Sequence, residues 1–112
     1  MDKAGHAYFA TLIRERLARI EAEDRLGRDG RAVVQFDQQS VGRLSRMDAL
    51  QNQAMAKAHQ ARRVAQARHL RSALDRMAAG EYGYCEDCGE SIAKRRLDLD
   101  PAVTRCISCA SG

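Results

Sequence analysis

Two C-x-x-C pairs near the end of this chain limit its fold more than any other feature. They read Cys85-Glu86-Asp87-Cys88 and Cys106-Ile107-Ser108-Cys109, with seventeen residues between them. That spacing is the pattern of a closed tetrahedral zinc site. Zinc favours thiolate sulfur, and four thiolates leave no position for water, so the expected Zn2+ is structural and not catalytic. Cys85, Cys88, Cys106 and Cys109 are the expected ligands, and there is no other cysteine. The competing readings are two disulfides or four buried thiols. Thiols awaiting zinc fit a reducing cytoplasm.

The rest of the chain is too poor in aromatics for a large packed core. Of its 112 residues, 4% are aromatic, none is Trp and 30% are charged. Much of the 45% hydrophobic fraction is Ala, a balance that suits extended helices. The net charge is +4, and four thiolates around one dication would lower it to about +2. A charge this mild does not argue for direct DNA binding. No apolar run is long enough for a membrane span or a signal peptide.

Helical periodicity covers residues 6–27, with Phe9, Leu12, Ile13, Leu17 and Ile20 on one face. Gly27-Arg28-Asp29-Gly30 reads as a helix stop. Residues 28–40 then form a connection, in which Val33, Val34 and Phe36 suit either a short extended piece or a helical turn. A long helix is expected over residues 41–79, which contain no Pro and a single Gly, Gly42. At 39 residues it would be roughly 58 Å long. Its apolar positions are Leu44, Met47, Ala54, Met55, Ala58, Ala61, Ala65, Leu70, Leu74 and Met77. A helix this long and thin needs a partner, and the first helix is the nearest. The expected fold is therefore mainly α: an antiparallel helical hairpin, or coiled coil, over residues 1–80 and a small four-cysteine finger over residues 81–112. Gly80 suits the C′ position that ends the long helix.

Tyr82-Gly83-Tyr84-Cys85-Glu86-Asp87-Cys88-Gly89, followed by Ile92, Arg96-Leu97, Pro101 and the second cysteine pair, resembles the zinc finger of the DksA/TraR family. The long helices before it resemble that family's coiled coil. The resemblance implies a bacterial transcription regulator that binds RNA polymerase, with its hairpin in the secondary channel and its tip near the active site. In DksA-type members the alarmone ppGpp tunes the effect.

Three departures stand out. The family's tip motif, D-x-x-D-x-A, falls on Gly42, Ser45 and Met47 when counted back from Cys85. Asp48 with Ala49, or Asp37, is left to take its place, and the tip contacts expected are Arg43, Ser45, Arg46, Asp48 and Ala49. Positions that serve ppGpp in DksA-type members carry Asp100, Ala110 and His69, so ppGpp dependence is expected to be weak or absent. The N-terminal region is short, and the C-terminal helix of longer members has no counterpart.

Other features carry two readings each. Lys94-Arg95-Arg96 with Arg105 gives the finger a basic face, for phosphate contact or for solvation. Tyr82 and Tyr84 either form a recognition pair or pack over the finger. His59 and His69, ten residues apart on one helix, are too far out of phase to share a metal. No catalytic constellation is present, so an enzyme is not expected. The alternatives to a polymerase-binding regulator are a zinc ribbon that binds nucleic acid and a thiol sensor that releases zinc on oxidation.

Overall fold

The computed structural model describes the backbone of residues 1–37 and 43–112, and the side chains of residues 1–27 and 46–112. Four helices follow in order: α1 (Lys3–Asp37), α2 (Arg43–Ala78), α3 (Lys94–Leu99) and α4 (Ile107–Ser111). The fold is mainly α, an antiparallel pair of long helices followed by a small finger. The described residues form two compact units, residues 1–17 with 67–112, and residues 18–66.

In the first unit the core is apolar. Phe9 and Ile13 of α1 are buried, as are Ala67, Leu70 and Ala73 of α2. The spacings of four on α1 and three on α2 place each set on one helical face. Tyr82, Ile92, Leu97 and Pro101 of the finger are buried in the same unit. Gly80, just past the end of α2, has a φ of +76°. The Gly80 N–H donates to Met77 O and the Glu81 N–H to Arg76 O, the two bonds of a Schellman cap.

The second unit is held differently. Among its described side chains only Ile20 is buried. Arg63 Nη2 lies 3.3 Å from Asp24 Oδ1, tying α2 to α1 by a polar contact. The half-buried α2 positions of this unit include Gln53, Ala56, Gln60 and Arg63, spaced three and four apart. That is the coiled-coil spacing, filled mostly by polar or small side chains.

Two expectations from the sequence are corrected here. The first helix does not stop at residue 27. It begins at Lys3 and continues through Gly27 and Gly30 to Asp37, so residues 28–37 of the expected connection are helical. An interior glycine costs only about 1 kcal/mol relative to Ala. Gly27 lies seven residues after Ile20 on the same half-buried face. The extension gives α1 35 residues against 36 in α2, so α2 no longer outruns its partner. Residues 38–42 lie outside the described residues, as do the side chains of Val33, Val34, Phe36 and Asp37.

The second correction concerns the apolar stripe on α2. Leu70 is buried and Ala65, Leu74 and Met77 are half-buried, but Met47, Ala54, Met55, Ala58 and Ala61 are exposed. Leu44 lies outside the described side chains. The bulky apolar positions of α2 fall on different sides of one helix, with Met47 about 140° from Leu70. The bulky residues near the C-terminal end fix which side meets α1, and the Ala-rich stretch falls on another.

Candidate metal centre and the docked finger

The first cysteine knuckle is a tight antiparallel turn. Tyr84 and Ser91 form an isolated β-bridge. The Cys85 N–H donates to Glu90 O at 2.8 Å, and the Ile92 N–H to Gly83 O at 2.8 Å. Gly83 and Gly89 take φ values of +90° and +76°, which a side chain would strain. The second knuckle starts at Cys106 in extended conformation and leads directly into α4. The Glu86 N–H donates to Thr104 O at 2.8 Å, stitching the knuckles together.

This folding brings all four cysteines into one cluster, although the two pairs are far apart in sequence. Their Sγ atoms all lie within 4.8 Å of one another. Cys88 Sγ and Cys106 Sγ are 3.7 Å apart. A tetrahedral zinc with Zn–S bonds of about 2.3 Å requires S···S edges of about 3.8 Å. No cysteine is in a disulfide. Four thiols are thus positioned to bind one metal ion.

The electrostatics of the cluster fit a dication. Hydrogen bonds from backbone groups at Cys106 first, and then Cys88, pull the Cys85 thiol down to about 6. At Cys88 the Glu90 backbone also lowers the pKa, but the neighbouring sulfurs of Cys85 and Cys106 raise it above the ordinary thiol value. The sulfurs of Cys106, Cys85 and Cys88 push Cys109 up to about 12. One thiolate forms readily and the next are opposed by like charge. A dication among the four sulfurs removes that opposition, as metal ions do for bound thiols.

Tyr82 joins this finger to the ends of the long helices. Its hydroxyl donates to Pro101 O at 2.8 Å, and its ring lies 6.0 Å from Phe9 and 6.3 Å from His6, edge-on to the latter. Desolvation on burial raises its phenol to about 12. Arg16 of α1 donates to the carbonyls of Leu99 and Asp98, at the C-terminal end of α3, at 3.1 and 3.2 Å. Arg76 of α2 donates to Ala102 O at 3.4 Å. Of the two readings for the tyrosines, Tyr82 takes the packing role, whereas Tyr84 is exposed.

The basic face of the finger is partly consumed by the finger itself. Arg96 Nε donates to Arg105 O at 2.9 Å. Arg105 Nε pairs with Asp87 Oδ2 at 3.1 Å and approaches Glu86 Oε1 at 3.8 Å. The two residues inside the first C-x-x-C therefore brace the second pair. The sequence reading passed over this role, although Glu86-Asp87 opposite a lone Arg before Cys106 was its signal.

The residues expected at the tip are only partly visible. Arg46 and Asp48 are exposed and Ala49 is half-buried. The side chains of Arg43 and Ser45, and Gly42 as a whole, lie outside the described residues.

Residues 80–112 match the family described as "Prokaryotic dksA/traR C4-type zinc finger". The chain carries a DksA/TraR-type zinc finger. The RNA polymerase-binding transcription factor DksA of Haemophilus influenzae is 38% identical over 40 residues, 36% of this chain and 28% of that protein. An uncharacterized protein of Aquifex aeolicus is 28% identical over 101 residues, 90% of this chain and 65% of that one. The chain thus spans less than two thirds of the length of either relative. The structure of transcription factor DksA2 from Pseudomonas aeruginosa matches with a TM-score of 0.87 at 23% identity, covering 99% of this chain and 84% of that one. At that identity the match establishes a DksA-like fold. The Haemophilus influenzae relative and the Pseudomonas aeruginosa structure are both described as transcription factors.

Proposed function

We propose that this protein is a transcription regulator that binds RNA polymerase through its helical hairpin, with the finger as a structural base. The observation that carries this reading is the fold match to a DksA transcription factor over 99% of the chain, with the family's zinc finger at its end. In this reading Cys85, Cys88, Cys106 and Cys109 hold one structural Zn2+, and residues 1–80 act as the hairpin while residues 81–112 act as the finger. The hairpin enters the polymerase's secondary channel with Arg43, Ser45, Arg46, Asp48 and Ala49 at its tip. The protein works in the bacterial cytoplasm and does not bind DNA directly. With Asp100, Ala110 and His69 at the positions that serve ppGpp elsewhere, ppGpp has little effect on it.

The internal use of Arg96 and Arg105 weighs against a nucleic-acid-binding finger. Co-purification of the zinc-loaded protein with purified core RNA polymerase tests the reading. Retention at micromolar concentration is expected, and its absence at that concentration overturns the proposal.

A further inference from the structure

The exposed apolar stripe of α2 has no partner among the described residues. Met47 and Leu50 are 66% and 63% exposed. Ala54, Ala58 and Ala61 continue the stripe and are also exposed. At 3.6 residues per turn these five positions fall within an arc of about 80°. The half-buried positions Gln53, Ala56, Gln60 and Arg63 are centred about 140° away around the same helix. In this unit α2 turns polar and small groups toward α1 and keeps its larger apolar groups outside. That is the reverse of what a self-sufficient hairpin requires.

Charge selects the occupant. Exposed Arg46 and Lys57 flank the stripe on one side and exposed Arg62 on the other. The whole of α2 carries eight Lys or Arg against two Asp. A second copy of the chain is a poor fit. Antiparallel pairing of two such stripes lines one edge of the seam with Arg46 and Lys57 of both copies and the other edge with both Arg62 side chains, and parallel pairing sets Arg46 and Lys57 of one copy along the same edge as Arg62 of the other. The complementary surface has an apolar centre and an acidic rim, and the alanines let it approach the α2 backbone closely.

We infer that this outer face of α2, centred on Leu50 and Ala54, is the side of the hairpin that docks on RNA polymerase, against an acidic-rimmed apolar surface of the enzyme. The inference rests on the polymerase-binding reading above and adds which face makes the contact. The apolar centre sets the lifetime of the complex, and the flanking cations set its salt dependence.

Fluorescence anisotropy of the labelled, zinc-loaded full chain titrated with core polymerase tests it. The variants are L50E/A54E, the milder M47S/L50S, the charge variant R46E/K57E/R62E, and R19E on the exposed side of α1 as control. Helicity is checked by circular dichroism and mass by sedimentation. Both face variants are expected to weaken binding by about tenfold or more, with R19E within about twofold. The charge variant is expected to flatten the salt dependence. Unchanged binding by helical face variants overturns the inference and leaves the polymerase reading standing. No binding by the unaltered chain removes both. A dimer that L50E/A54E converts to monomer also overturns it, because the occupant is then a second copy.

Discussion

The Tyr82 hydroxyl donates a buried 2.8 Å hydrogen bond to Pro101 O. Tyr82 follows the end of α2, and Pro101 lies on the return path to the second cysteine pair. The bond closes the finger around a ring that also packs on Phe9 of α1, with centroids 6.0 Å apart. Tyr82→Phe keeps the ring but leaves a buried carbonyl without its donor. It is expected to cost about 1–2 kcal/mol, measured by urea unfolding of the zinc-loaded protein.

The same phenol predicts a loss of stability at high pH. Its folded pKa is raised from 10.0 to about 12, chiefly by burial. The unfolded chain therefore loses this proton first. The contribution is fully present below about pH 10, declines as pH rises toward 12, and is gone above it. Unfolding midpoints measured across that window should fall more steeply for the wild type than for Tyr82→Phe. Parallel slopes would show that Tyr82 is not the group responsible.

Metal removal should dismantle the finger without abolishing all helix. Four sulfurs within 4.8 Å of one another, left without a dication, repel as thiolates or must keep their protons. Cys85→Ser, or a strong chelator, is expected to abolish the near-ultraviolet dichroism of Tyr82 while much of the far-ultraviolet helical signal persists. Complete loss of helix on chelation would contradict the separation into two units.

The Asp24–Arg63 contact should be worth little to stability. Arg63 Nε is buried without a hydrogen-bond partner even though Nη2 reaches Asp24. Replacing a half-buried, half-satisfied cation by an apolar group of similar reach is often neutral or stabilising. Arg63→Met is therefore expected to leave the melting temperature unchanged or raise it, whereas Asp24→Ala, which strands the cation, should lower it.

Gly80→Ala tests the helix stop. A Cβ at Gly80 would meet nothing within 4 Å, so any cost comes from its φ of +76°. About 1 kcal/mol of destabilisation is expected in thermal unfolding.

The metal centre was legible in the sequence because its chemistry is local. Each C-x-x-C pair folds within a few residues, and the Gly83 and Gly89 turns are set by residue type. Gly80 was legible as a helix stop for the same reason. Gly27 and Gly30 misled, because an interior glycine costs a helix only about 1 kcal/mol and does not by itself end one, and α1 runs through both to Asp37. The α2 stripe misled because a list of apolar positions carries no angle. Met47 and Leu70 lie on different sides of one helix, and only the buried Leu70 shows which side meets α1. The bracing of Arg105 by Asp87 and Glu86 depends on two knuckles meeting in space, which charge counting does not reveal.

The most direct test of the central claim is the lifetime of promoter open complexes formed by purified RNA polymerase, with and without saturating zinc-loaded protein and with Asp48→Asn alongside. The account predicts a changed lifetime with the wild-type protein and a smaller change with Asp48→Asn. An unchanged lifetime at saturating concentration would contradict it.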